Sequence, residues 1–415
     1  PNSLAFHLPL LFYSNYCPDM SAEEIFDFYK QYDERFGLPL KSKWKVFSQP
    51  KVPKEKLKIG YVSPDFKQHT IAPFLSPILS HHDHQKFEIF AFAEIEEEDK
   101  ISQEYKSYTD HWIRTEKMTD DELVEKIRSL EIDILVDLAG HTKSNRLGIF
   151  AQKPAPVSLS WLGYGYTTGL SAIDYFLSDS IMVPKGSEHL FSEKPWRLKN
   201  YGFCCYQAKP NMGEVSPLPA LKNNFITFGT ISTLVNRMTD PSIQVWAQIL
   251  KKVKDSKLII NSMSFTNQIV TNEFRQKCTN HGIPSDRLIF SDKSPPWDTM
   301  REMDIALDCF PHNSSATLIE HLYMGNPFIT YSNRPSVGKI GASILTTLGH
   351  REWIATSEQE YIDKAVALAS DTEKLAEIRN TLRTKLKTSP IMDQKGFVRE
   401  LENTYQAMWN NWCSS

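Results

Sequence analysis

Apolar residues in this chain gather in short runs, separated by polar stretches in which hydrophobic positions recur every three to four residues. The runs at 57–63, 87–95, 132–139, 157–162 and 173–177 read as strands, with helix-compatible segments such as 120–130 between them. A second alternating series has strands at 225–230, 257–261, 287–291, 304–310 and 327–331, and helices over 241–253, 267–281, 315–324, 338–348 and 358–369. Strands that are apolar along their whole length and alternate with helices predict parallel sheets covered on both faces. The expected class is therefore α/β, with two doubly wound, Rossmann-like domains facing a cleft. In such sheets ligands bind outside the carboxyl ends of the strands.

Residues 1–50 read as a helical appendage, in which Ser21 and Glu24 form a capping-box signature ahead of Ile25, Phe26, Phe28 and Tyr29. The first domain is expected over 57–215 and the second over 221–388. The stretch 182–221 holds Pro184, Pro195, Pro210, Pro217 and Pro219 with little periodicity and reads as the linker between them. The tail at 389–415 is expected to be an amphipathic helix whose Tyr405, Trp409 and Trp412 pack back on the body.

Single cores stop growing at about 250 to 300 residues, so a length of 415 agrees with two domains. With 47 Lys and Arg against 50 Asp and Glu, and no segregated basic stretch, nucleic acid is a poor partner. No apolar run is long enough to span a membrane. The opening stretch, interrupted by His7 and Pro9 with no Lys or Arg before it, does not read as a convincing signal peptide. Six cysteines without CxxC spacing predict neither a zinc site nor a disulfide framework, and the chain reads as cytoplasmic. It opens on Pro1, which fits removal of an initiator Met or a piece of something longer.

Chemistry is expected on loops that follow strands. The segment 304–320 runs from a strand through a polar loop into a helix, whose opening N–H groups and dipole would hold a phosphate with Ser314, Ser315 and Thr317. Glu320 shares a helix face with Thr317 and could accept from a ribose diol. The plainer alternative is that Ser314 or Ser315 caps a core helix and Glu320 faces solvent. Arg237, in the loop after another strand, could neutralise a diphosphate, and Lys339 is a second candidate cation; a solvated position is the default for each. His69 and His141 stand where cleft-facing residues belong and could move protons near neutral pH. The glycine-rich loop 161–169, with Gly163, Tyr164 and Gly165, would line the sugar or acceptor side, or Tyr164 and Tyr166 are simply core. No Asp-x-Asp pair is present to hold a diphosphate cation, so no metal is expected, and Arg237, Lys339 and the helix start would stabilise a departing diphosphate.

The segments 57–69, 134–142, 154–164, 246–250 and 307–327 together resemble the O-GlcNAc transferase family, in particular its bacterial tetratricopeptide-linked members, in the same order along nearly the whole chain. The resemblance implies a GT-B fold and inverting, metal-independent transfer from a nucleotide sugar, UDP-GlcNAc first, to a protein Ser, Thr or Asn side chain, Ser or Thr first, with no cofactor. It puts His69 near the reacting centre, Arg237 where the family commonly has a diphosphate-binding Lys, and Thr317 and Glu320 on the phosphate and ribose helix. Three places depart from the family pattern. Ser294–Asp298 lacks the usual His, which leaves Trp297 to stack on the base; Tyr166 and Thr167 alter the sugar-side loop; and the phosphate helix opens Ser-Ala-Thr. The other readings are a transferase using UDP-glucose, GDP-fucose or a nonulosonic acid nucleotide, such as a flagellin glycosyltransferase; a nucleotide-sugar epimerase; and a non-catalytic adaptor.

Overall fold

A computed structural model describes residues 4–200, 202–232 and 237–415. The chain divides into two compact units. The first comprises Pro1–Asn15, Met20–Gln207 and Asp393–Ser415, and the second Tyr16–Asp19 and Ala208–Met392.

The first unit is built on β1 (Leu57–Ser63), β2 (Phe87–Ala93), β3 (His111–Arg114), β4 (Ile134–Asp137), β5 (Val157–Ser160), β6 (Tyr175–Asp179) and β7 (Lys194–Leu198), in the order β3-β2-β1-β4-β5-β6-β7. Every pairing is parallel. The central strands are buried on both faces, which is why they read as unbroken apolar runs. The helix Gln394–Cys413 closes one face: Phe397, Leu401, Tyr405, Met408 and Trp409 recur at helical spacing and are fully buried against Tyr61, Leu159 and Trp161. Each is worth about 1.5–3 kcal/mol of burial.

The second unit carries β8 (Thr227–Ile231), β9 (Lys257–Asn261), β10 (Leu288–Ser291), β11 (Ile305–Leu307), β12 (Phe328–Tyr331) and β13 (Ile354–Ala355), again all parallel, in the order β10-β9-β8-β11-β12-β13. Local signals set its helices. Thr239 caps Asp240–Lys252 with a proline in the first turn, and Ser357 caps Glu358–Ala369.

Two expectations need correction. The proline-bearing stretch expected to be a linker contains β7, which pairs with β6 along its length; an edge strand tolerates Pro195, and that proline hid it. The N-terminal helices do not form an appendage of their own. The helix Ala22–Tyr32 starts at the expected Ser21–Glu24 capping box, but its Ile25, Tyr29 and Tyr32 are buried in the first unit, where Tyr29 and Tyr32 meet the ring of His141 edge-on.

Candidate functional site

In the second unit the strand order reverses between β8 and β11, and the residues beyond their carboxyl ends converge. Asp308 directly follows β11. Its side chain is buried, accepts from Ser314 N at 2.9 Å and from Thr330 Oγ1 at 2.8 Å, and so folds the loop 309–314 back onto its own strand. Burial pushes its carboxyl up to about 7, against the pull of those hydrogen bonds and of Arg237. Gly341 lets this packing happen: a Cβ there would stand 2.3 Å from Thr330 Oγ1 and 3.0 Å from Asp308 Oδ2.

Ser314 Oγ lies 3.5 Å from Arg237 Nη1, so the expected cation and the expected phosphate loop do come together. Residues 233–236 of the loop carrying Arg237 lie outside the described residues. The guanidinium sits over the ring of Tyr16, 5.6 Å from its centroid, and Nη2 is 3.4 Å from Tyr16 Oη. Tyr16 stacks on His312, with ring centroids 4.6 Å apart. Burial first, then Arg237 and Arg334, hold His312 well below the ordinary imidazole range, so it is neutral, and its Nδ1–H donates to Asn313 O at 2.8 Å. Ser315 precedes the helix Ala316–Tyr323 without a side-chain cap bond, and Thr317 is half-buried in its first turn. Capping is thus the role of neither serine.

A second group forms further along the same helix. Glu320 is buried rather than solvated and pairs with Lys209 at 2.9 Å; the Lys209 ammonium also lies 5.9 Å from the centre of the Trp297 ring. Trp297 opens the short helix Trp297–Arg301, half-buried, with no hydrogen-bond partner for its Nε1 among the described residues. Lys339 is half-buried, donates to Ser332 Oγ at 3.0 Å, and has its pKa lowered by that burial.

In the first unit His69 follows β1, 39% exposed, with Nδ1 3.6 Å from Asp65 Oδ2. Burial raises the Asp65 carboxyl while His69 and Lys67 oppose the shift. His141 lies in the loop after β4 but is buried. Its Nε2–H donates to Thr168 O at 2.7 Å, Nδ1 has no partner among the described residues, and burial lowers its pKa to about 4. Tyr164 is core, its hydroxyl 2.5 Å from that of Tyr29, while Gly163 and Gly165 are half-buried. Gly163 is obligatory, because a Cβ there would lie 1.7 Å from Leu138 O.

The sequence reading missed Asp65, Asp308, Tyr16, His312 and Lys209. A detectable signal existed for Asp65, an acid four residues before His69, and for Asp308, a lone carboxylate closing an apolar strand. Among the described residues no three or more His, Cys, Asp or Glu side chains are grouped to hold a metal ion, and no helix is long and apolar enough to cross a membrane.

Residues 34–206 and 220–401 match the model of glycosyl transferase family 41. The chain is 34% identical over 407 residues to the probable UDP-N-acetylglucosamine--peptide N-acetylglucosaminyltransferase SPINDLY of Hordeum vulgare, covering 96% of this chain and 43% of that protein. To the SEC protein of Arabidopsis thaliana, which carries the same probable activity in its name, it is 30% identical over 405 residues, covering 92% and 40%. It thus spans less than half the length of these curated relatives. Among solved structures, a mutant O-GlcNAc transferase of Thermobaculum terrenum superposes with a TM-score of 0.92 at 28% identity, covering 98% of this chain and 78% of that one. Anabaena HepE in complex with UDP and glucose shares the fold, at a TM-score of 0.54 and 15% identity over 85% of this chain and 100% of its own. The paired parallel sheets are those of a GT-B glycosyltransferase, and the chain belongs to glycosyl transferase family 41.

Proposed function

We propose that the chain transfers GlcNAc from UDP-GlcNAc to a protein Ser or Thr hydroxyl, with inversion and without a metal, and that it does so in the cytoplasm. The acceptor oxygen attacks the anomeric carbon, the bond from that carbon to the diphosphate oxygen breaks, and the acceptor proton passes to His69. The observation that carries the reading is Arg237 beside Ser314, at the start of a helix whose buried acid is Glu320. A departing diphosphate needs a cation and N–H donors; Arg237, in the loop after β8, would supply the first and the opening turn of the helix Ala316–Tyr323 the second. Glu320 accepts from the ribose, Trp297 stacks on the base, and Lys339 adds positive charge. Tyr166 and Thr167 alter the sugar-side loop, so the donor panel extends to UDP-glucose and GDP-fucose.

The test is that panel with flagellin and other cell protein as acceptors, read by intact mass. A mass gain of one N-acetylhexosamine from UDP-GlcNAc, lost by about 100-fold or more in a folded Arg237→Ala protein, is expected. A gain from another donor alone would replace the sugar. Full turnover by Arg237→Ala, or conversion of UDP-GlcNAc with no acceptor present, would overturn the mechanism.

A further inference from the structure

Arg237 is held in an unusual way. Among the described residues no carboxylate oxygen comes within ion-pair distance of it; the nearby Asp308 directs its oxygens to Ser314 N and Thr330 Oγ1. Its contacts to Ser314 Oγ and Tyr16 Oη, at 3.5 and 3.4 Å, are at the long limit of a hydrogen bond, and its buried Nε has no partner among the described residues. What remains to orient the guanidinium is the face of the Tyr16 ring.

Tyr16 is itself fixed. It is 7% exposed and nearly parallel to His312, at an interplanar angle of 4°. The next residue accepts through its carbonyl, Cys17 O, from Arg334 Nη1 at 2.9 Å. The four residues Tyr16–Asp19 therefore belong to the second unit, although the sequence on both sides of them belongs to the first. Because burial and two guanidinium groups keep His312 neutral, the stack adds no charge that would repel Arg237.

We propose that Tyr16 is a positioning residue for Arg237: its ring, backed by His312, aims the cation while leaving its N–H groups available to an anionic ligand. This rests on reading Arg237 as the diphosphate cation. A carboxylate in the same place would aim the guanidinium equally well but would compete with the ligand, and an aromatic face does not.

The experiment has two arms on the full chain. In the first, 15N relaxation of the Arg237 Nε–H is measured without ligand in wild type, Tyr16→Phe and Tyr16→Ala. Tyr16→Ala should lower its order parameter and Tyr16→Phe should keep it; an unchanged order parameter in Tyr16→Ala overturns the proposal. In the second, UDP and GDP are titrated calorimetrically. Tyr16→Ala should weaken binding about 3- to 30-fold, the range a cation–π contact supplies, and Tyr16→Phe should recover to within about 2-fold. Tyr16→Ala should add nothing on an Arg237→Ala background. Equal losses on both backgrounds would make Tyr16 merely structural and overturn the proposal. Wild type that binds neither nucleotide removes the diphosphate reading, and the relaxation arm then decides Tyr16 by itself.

Discussion

Replacing Asp308 by Asn tests whether the second unit stores a proton at the loop 309–314. The carboxyl is raised from an ordinary 3.8 to about 7, chiefly by burial. That rise corresponds to about 4 kcal/mol between the protonated and ionised forms in the fold. Because the folded pKa lies above the unfolded one, the fold binds the proton more tightly. The resulting stability is fully present below about pH 4 and is lost as the pH rises through 7. Between pH 5 and 7 the loss is about 1.4 kcal/mol per pH unit, or roughly 2–3 kcal/mol in all.

The amide introduced by Asp308→Asn cannot titrate. Its carbonyl can accept from Ser314 N or Thr330 Oγ1 but not both as well, so a constant penalty of about 1–3 kcal/mol is expected. Urea unfolding of the two proteins at pH 5, 6, 7 and 8 should therefore give curves that approach each other as the pH rises. A diphosphate placed beside Arg237 would raise Asp308 further, so UDP binding at pH 7.5, followed calorimetrically in buffers of different ionisation enthalpy, should take up protons in wild type and not in Asp308→Asn. Parallel stability curves together with identical proton uptake would refute the argument.

Gly163→Ala drives a Cβ into Leu138 O and should cost about 1–3 kcal/mol through displacement of the 161–169 loop, seen as a lowered melting temperature of the first unit; an unshifted transition would contradict it. Lys209→Met leaves Glu320, whose side chain is only 4% exposed, without its cation. Breaking a buried pair costs about 3–5 kcal/mol, but the Lys209 side chain is 37% exposed, so about 1–2 kcal/mol is expected, and a loss below about 0.5 would show the pair to be screened. His141 is depressed from 6.5 to about 4 by burial, so its stability contribution is present above pH 6.5 and is lost as the pH falls towards 4, by up to about 3 kcal/mol. His141→Phe should remove that part of the acid sensitivity between pH 7 and 4.5, and an equal acid loss in both proteins would rule it out.

What the sequence hides follows from where each element lies in its sheet. Strands in the middle of the two sheets are apolar throughout and could be read within a few residues of their ends. The elements that escaped are at the edges: β3 is the polar run His-Trp-Ile-Arg with both ends exposed, β7 carries Pro195, and β13 is two residues long. An edge strand needs only one apolar face and one set of ladder bonds, so its pattern is weak. The same logic separates the candidate site residues. Arg237, Ser314 and His69 follow strands and are found by counting along the chain. Lys209 meets Glu320 across 111 positions and Tyr16 meets Arg237 across 221, and no local pattern records such a contact.

The two units solve one problem in the same way. Asp137 ends β4 and Asp308 follows β11, and each of these strands lies next to its sheet's first strand, at the point where the order reverses. Asp137 accepts from Ala139 N, Gly140 N and, across the sheet, Ser160 Oγ at 2.7 Å at the end of β5. Asp308 accepts from Ser314 N and, across the sheet, Thr330 Oγ1 on β12. Burial raises both carboxyls, that of Asp308 to about 7. A buried carboxylate that accepts from its own loop and from the adjacent strand fixes the path of that loop more tightly than apolar packing would, because leaving any of those bonds unmade costs about 1–3 kcal/mol. The loops fixed in this way carry His141 in one unit and Ser314 in the other. Precision at the strand ends thus rests on two buried acids and their hydrogen bonds, and at Asp308, raised to about 7, a nearby ligand charge would draw in a proton.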